Sequence, residues 1–413
     1  MTDALAATGA ETETDVFDAF DQTVRSEGGG AAIDQLILRL DEQRAYRPLL
    51  DALLLKARHD LGLPLIQSGS LADLPEPARA AFEDRYIEAI RTVGRKFLDA
   101  GDIPAAWPYF RAIAEPEPVA RAIDEFVPDD GDERIGPVVE VAFNHGANPR
   151  KGFALILEHY GTCSAITAFE HLPADESVRV ACGALLVRQL HEHLVANLRS
   201  EIAQRGQPLP PEGTPIPGLL AGRDWLFLDD AYHLDVSHLA STVRISPMLS
   251  DPEALRLSLE LTEYGRKLSH RHRYDGEPPF EDVYEDHNAY LRALLNQDVD
   301  AVIAHFRARL NPPETGLETD ENASENDPGP RPPADTLPAQ VLVALLARIG
   351  RLDEAIAISA EHLAGLPESS LICPTLGALC LHAGAPERLA RISRERGDLV
   401  GYAAAVLQGG QQF

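Results

Sequence analysis

The feature that most constrains this chain is a run of small and aromatic residues between Gly94 and Pro118. It reads G-x2-F-x3-G-x4-A-x3-F-x7-P, a spacing typical of two antiparallel helices packed as one unit of a helical repeat. We expect Gly94 and Ala106 to be the small residues at the helix crossings, and Phe110 to fill the next gap. Gly101 suits the sharp turn because glycine adopts left-handed backbone geometry without a steric cost. The pattern therefore predicts a helix pair that ends at Pro118.

The same spacing returns twice further along the chain. The turn, crossing and terminating positions are Gly350, Ala355 and Pro367 in one copy, and Asn296, Ala301 and Pro313 in a weaker one. Asparagine is tolerable at the turn because it adopts left-handed geometry more readily than most other residues. Recurrence of the spacing predicts a fold built from several helix pairs.

The pattern resembles the tetratricopeptide repeat, most clearly at residues 86–118 and 341–367, although Ile90 stands where that family has a leading tryptophan. The resemblance implies a right-handed, TPR-like solenoid of antiparallel helix pairs whose concave groove binds a peptide or partner protein. In this family the groove side chains lie on the first helix of each pair. That implies Arg91 and Arg95 as partner-binding residues that could grip a carboxylate; a solvated helix face is the alternative for both.

The hydrophobic periodicity predicts an all-α fold. Apolar residues at Tyr86, Ile90, Val93 and Phe97 are spaced four, three and four, which places them on one helix face. Nowhere does the sequence sustain the alternation of β-branched, aromatic and polar residues that a sheet requires.

A second property divides the chain into segments. Residues 311–335 contain seven acidic residues, six prolines and one arginine, with almost nothing to bury, which is typical of a disordered linker. The predicted segments are a disordered N-terminus (1–14), a main helical-repeat domain (15–310) that includes a His-rich central block (223–310), an acidic Pro-rich linker (311–336), and a C-terminal TPR-like helical module (337–413).

The formal net charge of -28, from 65 acidic and 37 basic residues, restricts the possible partners. This charge repels phosphate backbones and anionic lipid surfaces, so we expect neither nucleic-acid nor membrane binding. It favours a neutral or basic protein or peptide partner.

Cysteine usage and apolar runs predict a cytoplasmic protein. The four cysteines, Cys163, Cys182, Cys373 and Cys380, form no CxxC pair and suit a reducing compartment. Residues 1–15 lack the basic and apolar regions of a secretory signal. The longest apolar run, 341–347, is far shorter than the ~20 residues of a membrane-spanning helix.

Two histidine-rich stretches could provide a divalent metal site. The candidate ligands are His233, Asp235, His238, His270 and His272. Imidazole and carboxylate ligands suit zinc or iron(II), and a loop-helix junction could bring His233, Asp235 and His238 together. One alternative is that Asp229 or Asp230 caps a helix while the histidines make ordinary hydrogen bonds, and the other is a solvated helix end at residues 270–273.

A third candidate is the pair His159 and Cys163. The two are four residues apart, so a continuous helix would place imidazole and thiol on one face, as a thiolate nucleophile requires. The alternative is a close helix crossing in which Cys163 packs as a small apolar residue.

These features together favour a non-enzymatic interaction scaffold that binds a peptide or partner protein in a concave groove. The chain has no GxSxG elbow and no phosphate-binding loop with the required lysine and hydroxyl residue. The alternative is a metal-dependent or Cys-dependent enzyme on a helical-repeat frame, with its site in residues 229–287.

Overall fold

The computed structural model describes residues 13–66, 75–129, 131–172, 175–310, 336–363 and 365–410, and the fold of these residues is all-α. The single β pairing among them is an isolated bridge between Asp275 and Asp282. The chain divides into two compact units, Met1–His159 and Tyr160–Phe413. This division lies at a different place from the boundary that the acidic segment predicted.

The first unit contains eight helices among its described residues. They are α1 (Glu13–Glu27), α2 (Gly29–Glu42), α3 (Tyr46–Asp60), α4 (Glu76–Asp99), α5 (Ile103–Ala112), α6 (Glu117–Asp124), α7 (Ile135–Val139) and α8 (Pro149–His159), with a π-helical turn at Glu140–Asn144. From α1 to α6 each helix packs against the next helix in the chain.

The pair α4–α5 has the crossing that the sequence pattern predicted. Ala106 and Phe110 are fully buried, and Gly101 has a φ of 77° in the turn. A β-carbon added to Gly94 would lie 2.8 Å from Cε2 of Phe110, so only glycine lets the ring pack against the α4 backbone. Pro118 lies in the first turn of α6, where it begins the next helix as well as ending the pair.

The second unit contains twelve helices among its described residues. They are α9 (Gly161–Glu170), α10 (Glu176–Gln204), α11 (Ile216–Leu220), α12 (Val236–Ile245), α13 (Pro252–Gly265), α14 (Val283–Leu294), α15 (Val299–Arg307), α16 (Leu337–Arg348), α17 (Leu352–His362), α18 (Leu376–His382), α19 (Pro386–Arg396) and α20 (Leu399–Gly410). Short 3-10 turns lie at Asp224–Asp230, Ser246–Met248, His270–His272 and Glu368–Ser370.

Helix α14 contributes to both hydrophobic cores of this unit. Val283, Tyr284 and Leu291 belong to a core formed mainly by α10 to α13, whereas Tyr290 and Ala293 belong to a core formed with α15 to α18. The C-terminal helices therefore share a core with α14 and α15, and the predicted linker does not separate two cores. Five helices lie among the described residues of the predicted C-terminal module.

The third copy of the repeat pattern is out of register. We expected Ala301 at a helix crossing, but it is exposed, and Val302 and Ile303 are buried instead. Helices α5 and α17 begin two residues after their turn glycines, whereas α15 begins three residues after Asn296. The extra turn residue, Asp298, rotates the helix by one position, about 100°.

Two segments predicted to be disordered lie largely outside the described residues. They are the predicted N-terminus (1–14) and linker (311–336), of which residues 1–12 and 311–335 lie outside the described part of the chain. Helix α1 begins at Glu13, two residues inside the predicted N-terminal tail, and Thr336 precedes the first turn of α16. Among the described parts of the chain, no helix is long and apolar enough to cross a membrane.

We predict that Gly94→Val destabilises the first unit by about 1–3 kcal/mol, because the new side chain must displace the buried Phe110 ring. The measurement is thermal unfolding followed by tryptophan fluorescence in a Trp225→Phe background. The signal then reports on this unit, because Trp107 is the one tryptophan that remains. Asp84→Val is the matched control: it puts the same residue at an exposed position of α4, with an expected change below about 0.5 kcal/mol. Equal destabilisation by both variants would contradict the crossing.

Candidate functional site

His233 is bonded to the protein core. Its backbone N–H donates to the hydroxyl of Tyr264 over 2.7 Å, and its Nδ1 lies 3.1 Å from the same oxygen. The ring meets Phe227 and Tyr264 edge-on, with centroids about 6 Å apart. Burial lowers the pKa of His233 because it disfavours the charged imidazolium. The residue therefore helps to fix the segment before α12.

Asp235 caps α12. Its Oδ1 accepts hydrogen bonds from the N–H groups of Ser237 and His238, at 2.8 and 3.2 Å, and from the Ser237 hydroxyl at 2.5 Å. These bonds, that of the Ser237 hydroxyl first, lower the pKa of Asp235 because they stabilise the carboxylate. The cap of α12 is therefore Asp235, whereas the helix-cap alternative named Asp229 or Asp230, which lie in the preceding 3-10 turn with φ of 58° and 59°.

The second histidine stretch lies in the 3-10 turn His270–His272. Nε2 of His272 lies 3.0 Å from the carbonyl oxygen of Asp230, and its ring contacts Tyr232. Across the described ranges, no three His, Cys, Asp or Glu side chains are grouped so that they could hold a metal ion. The possible convergence of His233, Asp235 and His238 with His270 or His272 is therefore not found, and His233, Asp235 and His272 instead bond to nearby backbone, hydroxyl and aromatic groups.

His159 and Cys163 do not share a helix. Helix α8 ends at His159, and α9 begins at Gly161, whose φ of 81° breaks the helical path between them. The predicted common face is therefore wrong. Cys163 is also exposed, so it does not pack as a buried small residue either.

Arg91 already binds a carboxylate of its own chain. Its Nε and Nη2 lie 3.0 and 2.6 Å from the two carboxylate oxygens of Glu115, and its Nη1 lies 2.5 Å from Glu88. This bidentate ion pair lowers the pKa of Glu115, because it stabilises the carboxylate. It also occupies the guanidinium that we expected to bind a carboxylate of a ligand. Arg95 is exposed one turn further along α4 and adds a weaker attraction for Glu115.

Three consecutive polar residues, Asp286, His287 and Asn288, are buried on α14, with exposures of 1%, 3% and 4%. Asp286 accepts from the backbone N–H of Asp282, and its Oδ1 lies 2.7 Å from both His305 Nε2 and Arg309 Nη2. This contact joins α14 to α15 and to the turn that follows it. A buried carboxylate is tolerated only when it is paired and hydrogen-bonded in this way.

Asn288 and His287 bond in other directions. The amide of Asn288 donates to Thr262 Oγ1 and Glu263 Oε1, at 2.9 and 2.8 Å, and so fixes α14 to α13. His287 donates from Nδ1 to the carbonyl of Val283 over 2.6 Å and stacks on Phe280 at 4.2 Å. Sequence reasoning did not identify this buried triplet, and no local signal distinguished it, since polar triplets on helices are usually exposed.

We predict a pH-dependent loss of stability that originates at His287. Burial lowers its pKa from 6.5 to about 4, so between these values the unfolded chain binds a proton that the folded protein does not. The free energy of unfolding should fall by up to about 1.4 kcal/mol per pH unit as the pH drops through this window, and by about 3 kcal/mol in all.

The measurement is denaturant unfolding at several pH values in a Trp107→Phe background, in which Trp225 reports on the second unit. In His287→Gln the free energy of unfolding should fall less steeply with decreasing pH than in the parent, because glutamine does not titrate. The matched control His193→Gln, at an exposed site on α10, should keep the parent's pH dependence. A His287→Gln slope equal to the parent slope would contradict the assignment.

An open apolar groove lies among the C-terminal helices. The groove, of about 790 Å³, is bounded by α17, α18, α19, α20 and the segment between α17 and α18. Its lining is largely apolar and only half-buried, and it includes Leu366, Leu371, Leu376, Leu389 and Ile392. Arg396 and Asp398 border it, and Asp398 accepts from the backbone N–H of Gly401 in the first turn of α20.

Comparison of the chain with protein-family models, curated proteins and solved structures found no match.

Proposed function

We propose that this chain is a helical-repeat interaction protein that binds a peptide or partner-protein segment in the groove among α17, α18, α19 and α20. The observation that carries the proposal is the open, largely apolar groove of about 790 Å³ itself. An apolar groove between helices takes an amphipathic helix or an apolar peptide, because burying apolar side chains there is the main source of affinity.

The local charge supports a neutral, apolar partner segment. Residues 365–410 contain four arginines and four acidic residues, so this end of the chain has no net charge although the whole chain carries -28. A peptide can therefore reach the groove with little electrostatic cost from its immediate surroundings. Arg396 at the border offers a charge-assisted hydrogen bond to a carboxylate of the partner.

The helix pairs support the same class of protein. Both α4–α5 and α16–α17 have the turn glycine and the buried alanine that the tetratricopeptide resemblance implies. In that family a partner binds on a surface formed by stacked pairs. The histidine-rich block supports no second proposal, because none of its described side chains are grouped so that they could hold a metal ion.

The test is selection of peptides from a randomised library of about 12–16 residues against the full chain, followed by fluorescence anisotropy of a selected peptide. Ala404→Arg should weaken binding at least about tenfold, because Ala404 lines the groove and the new side chain fills it. Circular dichroism should be unchanged, since Ala404 is exposed.

Gln408→Arg is the matched control. It introduces the same charge and side chain one turn further along α20, at an exposed position that does not line the groove. Binding that is insensitive to Ala404→Arg, or equally weakened by both variants, would contradict the groove as the site.

A further inference from the structure

The outer face of α20 is apolar and exposed. Leu399, Val400, Val406 and Leu407 are exposed by 77%, 81%, 49% and 69%, and no residue of this helix is charged. The helix packs chiefly against α19, through the buried Ala405. A contiguous exposed apolar face of this kind indicates a surface that another molecule covers.

The order of side chains on this face is symmetric about Ala403. At 100° per residue, Leu399 and Leu407 lie about 40° to either side of Ala403, and Val400 and Val406 about 60° to either side. Leu399 and Val400 are one turn before it, and Val406 and Leu407 one turn after it. A two-fold axis beside Ala403 would therefore place the first bulky pair of one helix against the second bulky pair of an antiparallel copy.

We propose that this face binds a second copy of the chain, so that two α20 helices pack antiparallel around a two-fold axis at Ala403. An interface around a two-fold axis must be complementary to itself, and the pattern meets that requirement. The small Ala403 side chain at the centre lets the two backbones approach closely, while the larger pairs at either end interdigitate.

Electrostatics explains why the contact forms at this end. Two copies that each carry -28 repel one another, so they associate most readily where the local charge is smallest. Helix α20 is uncharged, and residues 365–410 are neutral as a whole. A single pair of 12-residue helices, about 18 Å long, forms a small interface, so the dimer dissociates on dilution.

The proposal is tested at Leu399 and Leu407, because among the four bulky residues of this face only Val400 also lines the peptide groove. Its first test is sedimentation equilibrium of the full chain over a range of concentrations. The parent protein forms dimers as the concentration rises, and the variant Leu399→Glu with Leu407→Glu remains monomeric at every concentration. Both substitutions are at exposed positions, so an unchanged circular dichroism spectrum confirms that the fold persists. A parent chain that stays monomeric overturns the proposal.

The second test fixes the geometry by disulfide formation in a Cys163→Ser background, which removes the exposed native thiol. Ala403→Cys should form a covalent dimer on mild oxidation, because the two thiols meet at the axis. Leu399→Cys alone should not, since the two copies of that position are about 12 Å apart along the helices. Mixing Leu399→Cys with Leu407→Cys should restore the cross-link. Efficient cross-linking of Leu399→Cys with itself indicates parallel helices and overturns the antiparallel arrangement.

Discussion

The second unit depends on the requirement that the buried polar groups of α14 find partners. Asp286, His287 and Asn288 are almost fully buried, and each bonds to a different part of the protein. An unpaired carboxylate or amide at such positions would cost several kcal/mol, on the order of 3 kcal/mol or more for the charged group. Helices α13, α14 and α15 can therefore pack in few arrangements, since most alternatives leave one of these groups unsatisfied.

The position of the candidate groove follows from this arrangement. Tyr290 on α14 and Phe306 on α15 form one side of the core that α16, α17 and α18 complete. The guanidinium of Arg348, at the end of α16, donates to the backbone carbonyls of Pro247 and Leu249 and so also joins α16 to the segment that follows α12. Helices α16, α17 and α18 bury one face in this core. The surfaces of the C-terminal helices that face away from the core can therefore contact a partner.

Charge is distributed unevenly along the chain, so the electrostatic repulsion that a second acidic molecule would experience differs from one surface to another. The whole sequence carries -28, yet residues 365–410 are neutral and include the uncharged helix α20. From the total charge alone we expected a neutral or basic partner. The local composition instead matches a neutral, apolar contact, because charges more than about 10 Å away are largely screened at ordinary ionic strength.

The sequence by itself determined the helices and several of their turns. Periodic apolar residues and the glycines at 101 and 350 act within a few residues of chain, so they predict α4–α5 and α16–α17 without knowledge of the rest. Only the tertiary structure decided which polar side chains are buried, because Asp286 and Asn288 are satisfied by side chains 19 to 26 positions away. It likewise decided that His233, Asp235 and His272 bond to their own segment and core, and that Val302 replaces Ala301 at the crossing. The burial of these side chains and the shift at Ala301 depend on long-range packing and on one extra turn residue. Neither produces a periodic pattern in the sequence.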